Sequence, residues 1–468
     1  LKRLGADVAV IMPAYRQIFD AGIKIESTGV RFDVPIGGKI MEGHLLSARL
    51  PDSTVCVYFV DQPEYFDRDG LYAENGVDYD DNAERFIFFS RAVLEAVRGL
   101  DFLPDVIHAN DWQCGLIPAL LRVEYRHSAG FENIATLQTI HNMAYQGSFW
   151  HWDMLLTGLD WRYFNWREME FHGRLNLLKT GLVFADAIST VSPTYAREIR
   201  ESDLGCGMEG LLQHRADCLA GIVNGVDYAV WNPKLDGQIA ENFGIANWKT
   251  GKPACKAALQ QQLGLPVKPN VPLLGVVGRL ASQKGWNLIA EVMGRWAKTE
   301  DAQWVVLGTG DPQFEDLLLD LAKHHPTKIS ATIGFSDALA HQIEAGADLF
   351  LMPSQYEPCG LNQLYSLKYG TVPLVRETGG LSDTVVDANP SSIANDAATG
   401  FTFGQYDAYA LESTLYRACR MYREDRGAWE AIVETGMRQD WSWAASAKKY
   451  MNLYQQIVQR IANPALSH

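Results

Sequence analysis

The chain has 468 residues, 47% hydrophobic, 21% charged and 11% aromatic, an ordinary folded composition too long for one hydrophobic core, so two domains are expected. Its 41 Lys and Arg against 56 Asp and Glu leave a formal charge of −15, which speaks against nucleic-acid backbones and anionic membranes as partners, since both need a basic face. No apolar run approaches the roughly 20 residues of a membrane helix, and the seven scattered cysteines contain no C-x-x-C pair, so a reducing compartment is expected rather than a disulfide framework or zinc site.

The chain opens at Leu1, and Lys2–Asp7 reads as a helix end running into a strand. Short apolar runs rich in Val and Ile follow at Val8–Met12, Val55–Val60, Asp105–Ile107, Ala135–Ile140 and Ala187–Val191, the pattern of buried parallel strands. Ala83–Val97 and Gly173–Phe184 between them have helical spacing. The polar stretch Trp231–Pro253, with its prolines and glycines, reads as a linker. A second alternation begins near Pro272, with strands at Leu273–Val277, Gln303–Leu307, Lys328–Ile333, Asp348–Met352 and Thr371–Val375 and helices such as Asn287–Ala297 and Phe314–Lys323. In Trp443–Ile461, residues Ala447, Tyr450, Met451, Tyr454, Ile457, Val458 and Ile461 share one helical face. The expected class is therefore α/β, with doubly wound domains over residues 1–235 and 236–445 and a terminal helix over 446–468. Ligands of such sheets collect at the carboxyl ends of the strands, beside helix N-termini.

Five loops at such ends carry chemistry-bearing residues. Gly278–Gly285 holds Arg279 and Lys284 just before a helix, which suits a diphosphate, although two solvated surface charges would look the same. Ser354–Leu361 places Glu357 at a strand end, followed by Cys359 and Gly360, where glycine lets backbone amides approach a ligand. The consecutive amides of Thr378, Gly379 and Gly380 suit a phosphate nest. In the first half, Ile107–Trp112 and Ile140–Gly147 put His108, Asp111 and His141 at strand ends. No G-x-G-x-x-G follows the first strand with an acidic residue roughly 20 positions on, which argues against a dinucleotide-binding dehydrogenase.

Taken together, GRLASQKG (278–285), YEPCGLNQLYSLKYG (356–370), IHANDWQ (107–113), TIHNMAYQG (139–147), STVSPTYAREI (189–199) and IVNGVD (222–227) resemble glycosyltransferase family five, the bacterial glycogen synthases and plant starch synthases. The resemblance runs in order from near Val8 to the final helix. It implies a GT-B fold, two Rossmann-like domains facing a central cleft, and retaining transfer of glucose from ADP-glucose to the non-reducing end of an α-1,4-glucan, without a metal or other cofactor. It also implies a cytoplasmic protein, or a plastidial one in a plant. Alternatives are a related transferase using UDP-glucose on a small acceptor, and a catalytically dead glucan-binding protein.

Residue by residue, the resemblance assigns Arg279 and Lys284 to the distal phosphate, assisted by the backbone of Thr378, Gly379 and Gly380. Phe335 falls where the family stacks an aromatic on adenine. His141 would bond the transferring glucose, Asn224 would contact the sugar, and Glu357 with the amides of Cys359 and Gly360 would bind its hydroxyls. Asp111 takes the place of a carboxylate near donor and acceptor, and Tyr79 that of a tyrosine near the acceptor. Cys359 is expected to pack and shape its loop. Tyr365 stands where many related retaining transferases carry a second glutamate, so front-face attack is expected, with Glu357 steadying the oxocarbenium-like sugar. The family's Lys-x-Gly-Gly-Leu loop has no counterpart ahead of Val8; a segment of roughly forty residues carrying it is expected upstream, and without its strand the sheet would expose apolar surface and unpaired backbone, leaving this chain alone poorly active.

Overall fold

The computed structural model describes residues 1–74 and 76–463. The chain divides into two compact units: the first comprises Leu1–Thr190, Ala196–Ile222 and the chain from Ala447 onward, the second Val191–Tyr195 and Val223–Ser446. The division at 222/223 lies ahead of the expected 235/236, and the terminal helix belongs with the first unit.

In the first unit, β1 (Ala9–Pro13), β2 (Glu26–Ile36), β3 (Lys39–Arg49) and β4 (Cys56–Asp61) form one sheet in the order β1-β4-β3-β2. Strands β1 and β4 are parallel, while β2 and β3 form an antiparallel hairpin closed by Gly37 and Gly38. A Gly-Gly pair between alternating runs is a hairpin signal that the sequence reading passed over. The hairpin buries Phe32, Val34, Ile36 and Leu45 in the same cluster as Phe86, Ile87, Phe89 and Val93 of α1 (Asn82–Gly99). A second, all-parallel sheet follows, built from β5 (Val106–Asn110), β6 (Ala135–Ile140), β7 (Ala187–Thr190) and β8 (Leu219–Gly221) in the order β8-β7-β6-β5, with α2 (Leu177–Phe184) connecting into β7. Strands β1 and β5 each end their sheet, and Val10 on β1 is exposed.

The second unit contains α3 (Trp248–Gln262), β9 (Leu273–Val277), α4 (Trp286–Thr299), β10 (Gln303–Gly308), α5 (Pro312–His324), β11 (Ile329–Ile333), α6 (Asp337–Gly346), β12 (Leu349–Met352), α7 (Asn362–Tyr369), β13 (Val372–Arg376), β14 (Phe401–Phe403), α8 (Ala408–Glu424) and α9 (Arg426–Arg438). Its six strands are parallel in the order β11-β10-β9-β12-β13-β14. The order reverses direction at β9, the point where such sheets open a crevice. Helix starts are fixed by local chemistry: Asp311 accepts from the Gln313 amide with Pro312 in the first turn of α5, and Ser336 accepts from the Leu339 amide at α6. Trp286, Trp296 and Trp304 are fully buried beside the sheet.

Two expectations are corrected here. Trp231–Pro253 is not a linker: Trp231 stacks between His341 and Tyr365 at 3.8 and 3.9 Å. Asp236 is buried and accepts from Tyr369 Oη at 2.6 Å, with His341 Nδ1 at 2.7 Å. Asn242 Nδ2 donates to Pro233 O at 3.0 Å and Asp236 O at 2.7 Å, so the segment is folded onto the second unit even though Lys234 and Glu241 face water. Gly173–Phe184 is not helical throughout, because Arg174–Asn176 pairs as a short strand with Ser148–Phe149 and the helix begins at Leu177. The last helix, α10 (Trp443–Ala462), places Tyr450, Tyr454, Ile457, Val458 and Ile461 against Ala135, Leu137 and Ala187 of the β6–β7 sheet. All seven cysteines are free thiols, and no described helix is long and apolar enough to cross a membrane.

Candidate active site

Two loops at the carboxyl end of the six-stranded sheet are joined along their length. The loop after β9 holds Arg279 and Lys284; the loop after β12 holds Ser354 and Glu357. The Gln355 amide donates to Gln283 O at 2.8 Å, and Gln283 Nε2 donates to Tyr356 O at 3.2 Å. Gly285 has φ 79°, and a Cβ there would lie 2.1 Å from Pro353 O, so the contact requires glycine. Trp286 Nε1 donates to Arg279 O at 3.0 Å and fixes the start of α4.

This joinery brings Lys284 Nζ to 2.6 Å from Glu357 Oε2. Ser354 Oγ donates to the same oxygen at 3.0 Å. Glu357 is only 6% exposed, Lys284 is half-buried and Arg279 is exposed. Arg279, Lys284, Ser354, Glu357, Gly360 and Asn362 line a pocket of about 230 Å³. A carboxylate so deep needs its cation, because a buried ion left alone costs several kcal/mol. The pocket thus presents positive charge at its rim and one neutralised carboxylate in its wall.

The Thr378–Gly380 loop packs backbone to backbone on the Glu357 loop. The Thr378 amide donates to Arg376 O at 3.0 Å, and the Gly380 amide is shared between Glu357 O and Pro358 O, both at 3.1 Å. Gly379 has φ 45°, and Cβ atoms at Gly379 and Gly380 would lie 2.0 Å from Glu357 O and Cys359 O respectively. The Gly380 amide thus braces the Glu357 loop, while the Thr378 amide closes on Arg376 two residues back. Glycine is needed because backbone packs directly on backbone.

Cys359 is buried; burial pushes its thiol up to about 12, and the Asn224 amide facing the sulfur acts the other way. Asn224 is thereby brought beside the Glu357 loop. Three residues that the sequence reading did not single out complete the frame. Arg376 Nε donates to Ser354 O at 2.9 Å and its guanidinium also reaches Gln355 O, while Gln363 Nε2 donates to Cys359 O at 3.0 Å and Asn362 Nδ2 to Val277 O at 2.9 Å. A basic residue at a strand end just before Thr378 was the available signal for Arg376. Phe335 follows β11 and is 91% exposed; it does not line the pocket. Its strand lies two places from β9, roughly 10 Å at the usual strand spacing.

In the first unit, the loops after β5 and β6 bring Asp111 and His141 together. Asp111 Oδ1 accepts from the His141 amide at 2.8 Å, and the Asn142 amide also faces the carboxylate. Burial pushes this carboxyl up, against the opposing pull of His141 and the two amides. Asp111 sits at φ 53° and ψ −168°, a positive-φ extended conformation rare outside glycine. His141 Nε2 lies 3.1 Å from Asn110 Oδ1, another residue the sequence reading missed. Tyr79 lies apart from this pair, with Arg68 and Arg85 over its ring at 4.8 and 5.0 Å and the Gly70 amide donating to its Oη at 3.2 Å. His108 is held by Tyr454 Oη at 2.8 Å and Thr139 Oγ1 at 2.5 Å, and burial, with nearby His141, pushes it down to about 4. It is a neutral structural histidine, whereas His141 stands at the tip of its strand.

Residues 1–214 match the family model described as starch synthase catalytic domain, and residues 257–429 match glycosyl transferases group 1. The glycogen synthase of Rhodopirellula baltica is 48% identical, aligned over 96% of this chain and 91% of its own, and that of Anaeromyxobacter dehalogenans is 46% identical over 97% and 92%. The catalytic domain of Starch Synthase IV from Arabidopsis thaliana, solved with ADP and acarbose bound, superposes with a TM-score of 0.88 at 31% identity, covering 98% of this chain and 94% of that one. Sucrose-phosphate synthase from Thermosynechococcus elongatus shares the fold, at a TM-score of 0.56 and 16% identity. With its GT-B fold and relatives matching along nearly its whole length, the chain belongs to the glycogen and starch synthase family of glycosyltransferases.

Proposed function

We propose that this chain transfers glucose from ADP-glucose to the non-reducing end of an α-1,4-glucan, retaining the anomeric configuration. The observation that carries the reading is the convergence of Arg279, Lys284 and Glu357 on one pocket at the crevice of a parallel sheet. The donor brings its own leaving group, so the protein's task is to neutralise charge growing on the distal phosphate as the bond from C1 to oxygen breaks. Arg279 and Lys284 supply that charge, already in place before the reaction. Lys284 has three N–H donors, so it can keep Glu357 and still reach a phosphate oxygen. In this reading the cations do the work for which other transferases use a metal.

The sugar lies toward Glu357 and the adenine toward Phe335, an order that follows the strands β12, β9, β11. Retaining glycosidases pair two carboxylates about 5 Å apart. Here Tyr365, one turn into α7, is stacked on Trp231 at 3.9 Å and offers no second carboxylate. The acceptor O4 therefore attacks C1 on the face that ADP leaves, and its proton passes to the departing phosphate oxygen. Glu357 steadies the positive sugar between the two bonds. In the first unit, the reading assigns His141 to the transferring sugar and Asp111 to the carboxylate that orients the His141 main chain. The Arabidopsis relative, solved with ADP and acarbose bound, supports the nucleotide and sugar sides of this reading.

The full-length protein, supplied with glycogen, is expected to release ADP from ADP-glucose and to extend the glucan through α-linkages visible by NMR. Preferential use of UDP-glucose, or glucan binding without nucleotide release, would overturn the assignment.

A further inference from the structure

The Gly-Thr-Gly-Asp-Pro run at 308–312, in the second unit, plays no part in the reaction above, yet the main chain around Arg279 lies on it. The Gly278 amide donates to Leu307 O at 3.0 Å, the Leu280 amide to Thr309 O at 2.9 Å, and the Asp311 amide to Leu280 O at 2.7 Å. Arg279 is thus bracketed on both sides by bonds to one stretch of chain. The contact is backbone on backbone. A Cβ at Gly308 would lie 2.1 Å from Gly278 O, and one at Gly310 would lie 2.5 Å from Leu280 O. The same run also meets the loop that carries Phe335, because the Gly334 amide donates to Gly308 O at 2.9 Å.

Arg279 depends on this bed for its position. Its side chain is exposed and meets Gln283 Oε1 at a long 3.3 Å. Where its guanidinium stands is therefore set chiefly by where its main chain lies.

One carboxylate oxygen holds the bed. Glu315 Oε1 accepts from Thr309 Oγ1 at 2.7 Å and from the Gly310 amide at 2.9 Å. Glu315 stands in the first turn of α5, where side chains lean back toward the helix start. An acid at that place would by itself be an ordinary charge at a helix N-terminus. Here its oxygen reaches past the helix to two donors of the preceding loop. The Gly310 amide, with the Thr309 hydroxyl, holds its carboxyl below the ordinary range. The path is short: Glu315 pins Thr309 and Gly310, Thr309 O takes the Leu280 amide, and Leu280 follows Arg279.

We propose that Glu315 is a positioning residue for Arg279, fixing the loop 308–311 so that the guanidinium meets the distal phosphate of a bound nucleoside diphosphate. The phosphate role of Arg279 rests on the proposed transfer reaction; the geometry of the loop does not.

The test measures ADP binding by calorimetry, and ADP release from ADP-glucose with glycogen, in the full-length protein. Glu315→Ala is expected to bind ADP about tenfold more weakly and to lose about tenfold in kcat, since a small misplacement of a positioned group is costly. The KM for glycogen and the melting temperature should stay unchanged. Glu315→Gln keeps an oxygen for both donors, so ADP affinity and kcat should return to within about twofold of wild type. In an Arg279→Ala background, Glu315→Ala should add less than about twofold, because its effect runs through the guanidinium. Thr309→Val removes one of the two donors and should weaken ADP binding about threefold, which carries the test should Glu315→Ala fail to fold. Losses that simply multiply in the double variant, an equal loss in Glu315→Gln and Glu315→Ala, or a lowered melting temperature at unchanged ADP affinity would each overturn the assignment. The expected pattern of ADP affinities in a protein that transfers no glucose would uphold the role of Glu315 and sink the proposed reaction.

Discussion

The two units present different chemistry at the carboxyl ends of their parallel strands. In the second, side chains bridge from loop to loop, and a cation, Lys284, is paired with a carboxylate that is almost fully covered. In the first, the carboxylate of Asp111 is engaged by main-chain amides, and His141 leans on the neutral amide of Asn110. The second arrangement suits a ligand whose charge grows during reaction; the first suits neutral hydroxyls that must be oriented. In the proposed reaction this contrast makes the second unit the electrostatic half and the first the positioning half.

The largest effect expected from this contrast is at Lys284. Lys284→Ala removes both the cation proposed for the phosphate and the partner of Glu357, so kcat for ADP release should fall by roughly 10²–10³ and the melting temperature should drop. Arg279→Ala should lower kcat by a similar factor without a stability change, since its guanidinium is exposed and pairs only loosely with Gln283 at 3.3 Å. Unchanged kcat in Lys284→Ala would remove the electrostatic half of the comparison.

The first unit should instead reveal itself through acid. His108 has a folded value of about 4, below its ordinary 6.5. As pH falls through 6.5 the unfolded chain takes up a proton that the folded chain refuses. Stability present above pH 6.5 is therefore lost progressively down to about pH 4, by up to about 3 kcal/mol. Urea melts of wild type and His108→Asn over that range measure it. Equal pH dependence in the two proteins would show that the burial of His108 is not what costs stability.

A third expectation sharpens the role given to the glycine loop. Gly380→Ala would drive a Cβ to 2.0 Å from Cys359 O. The Glu357 loop must then shift, at a cost of about 1–3 kcal/mol of the kind that overpacking brings. Both melting temperature and kcat should fall, measured by calorimetry and ADP release. Were these amides phosphate donors, the change would raise the KM for ADP-glucose at unchanged stability.

Much of this was legible beforehand because parallel strands are short, apolar and bounded. Ala135–Ile140 and Leu273–Val277 match the observed strands to the residue. Arg279, Lys284 and Glu357 could be placed at one sheet edge from strand ends alone. What could not be read was side-chain bonding across distant sequence. The polar run 231–253 looked like a linker because nothing local shows that Asp236 meets His341 and Tyr369 more than a hundred positions on. The Gly380 amide looked free for the same reason: its acceptors, Glu357 O and Pro358 O, lie in another loop. The hairpin at 26–49 carried a signal in its Gly-Gly turn, but its alternation is half polar and did not stand out beside the Val- and Ile-rich runs.

The smallest effect should come from Cys359, and its size decides whether the second unit's loop works through charge or through thiol chemistry. The sulfur is buried, its proton is held up to about 12, and it accepts the Asn224 amide. A thiol so protonated is a poor nucleophile near neutrality. Cys359→Ser keeps an acceptor for Asn224 and changes volume slightly, so kcat should stay within about threefold and stability within about 1 kcal/mol, the net worth of one hydrogen bond. Iodoacetamide should label exposed Cys206 well before Cys359 in the native protein. A Cys359→Ser enzyme without activity but with an unchanged melting temperature would mean the sulfur touches the reacting sugar. The electrostatic account built on Lys284 and Glu357 would then lack a reacting group.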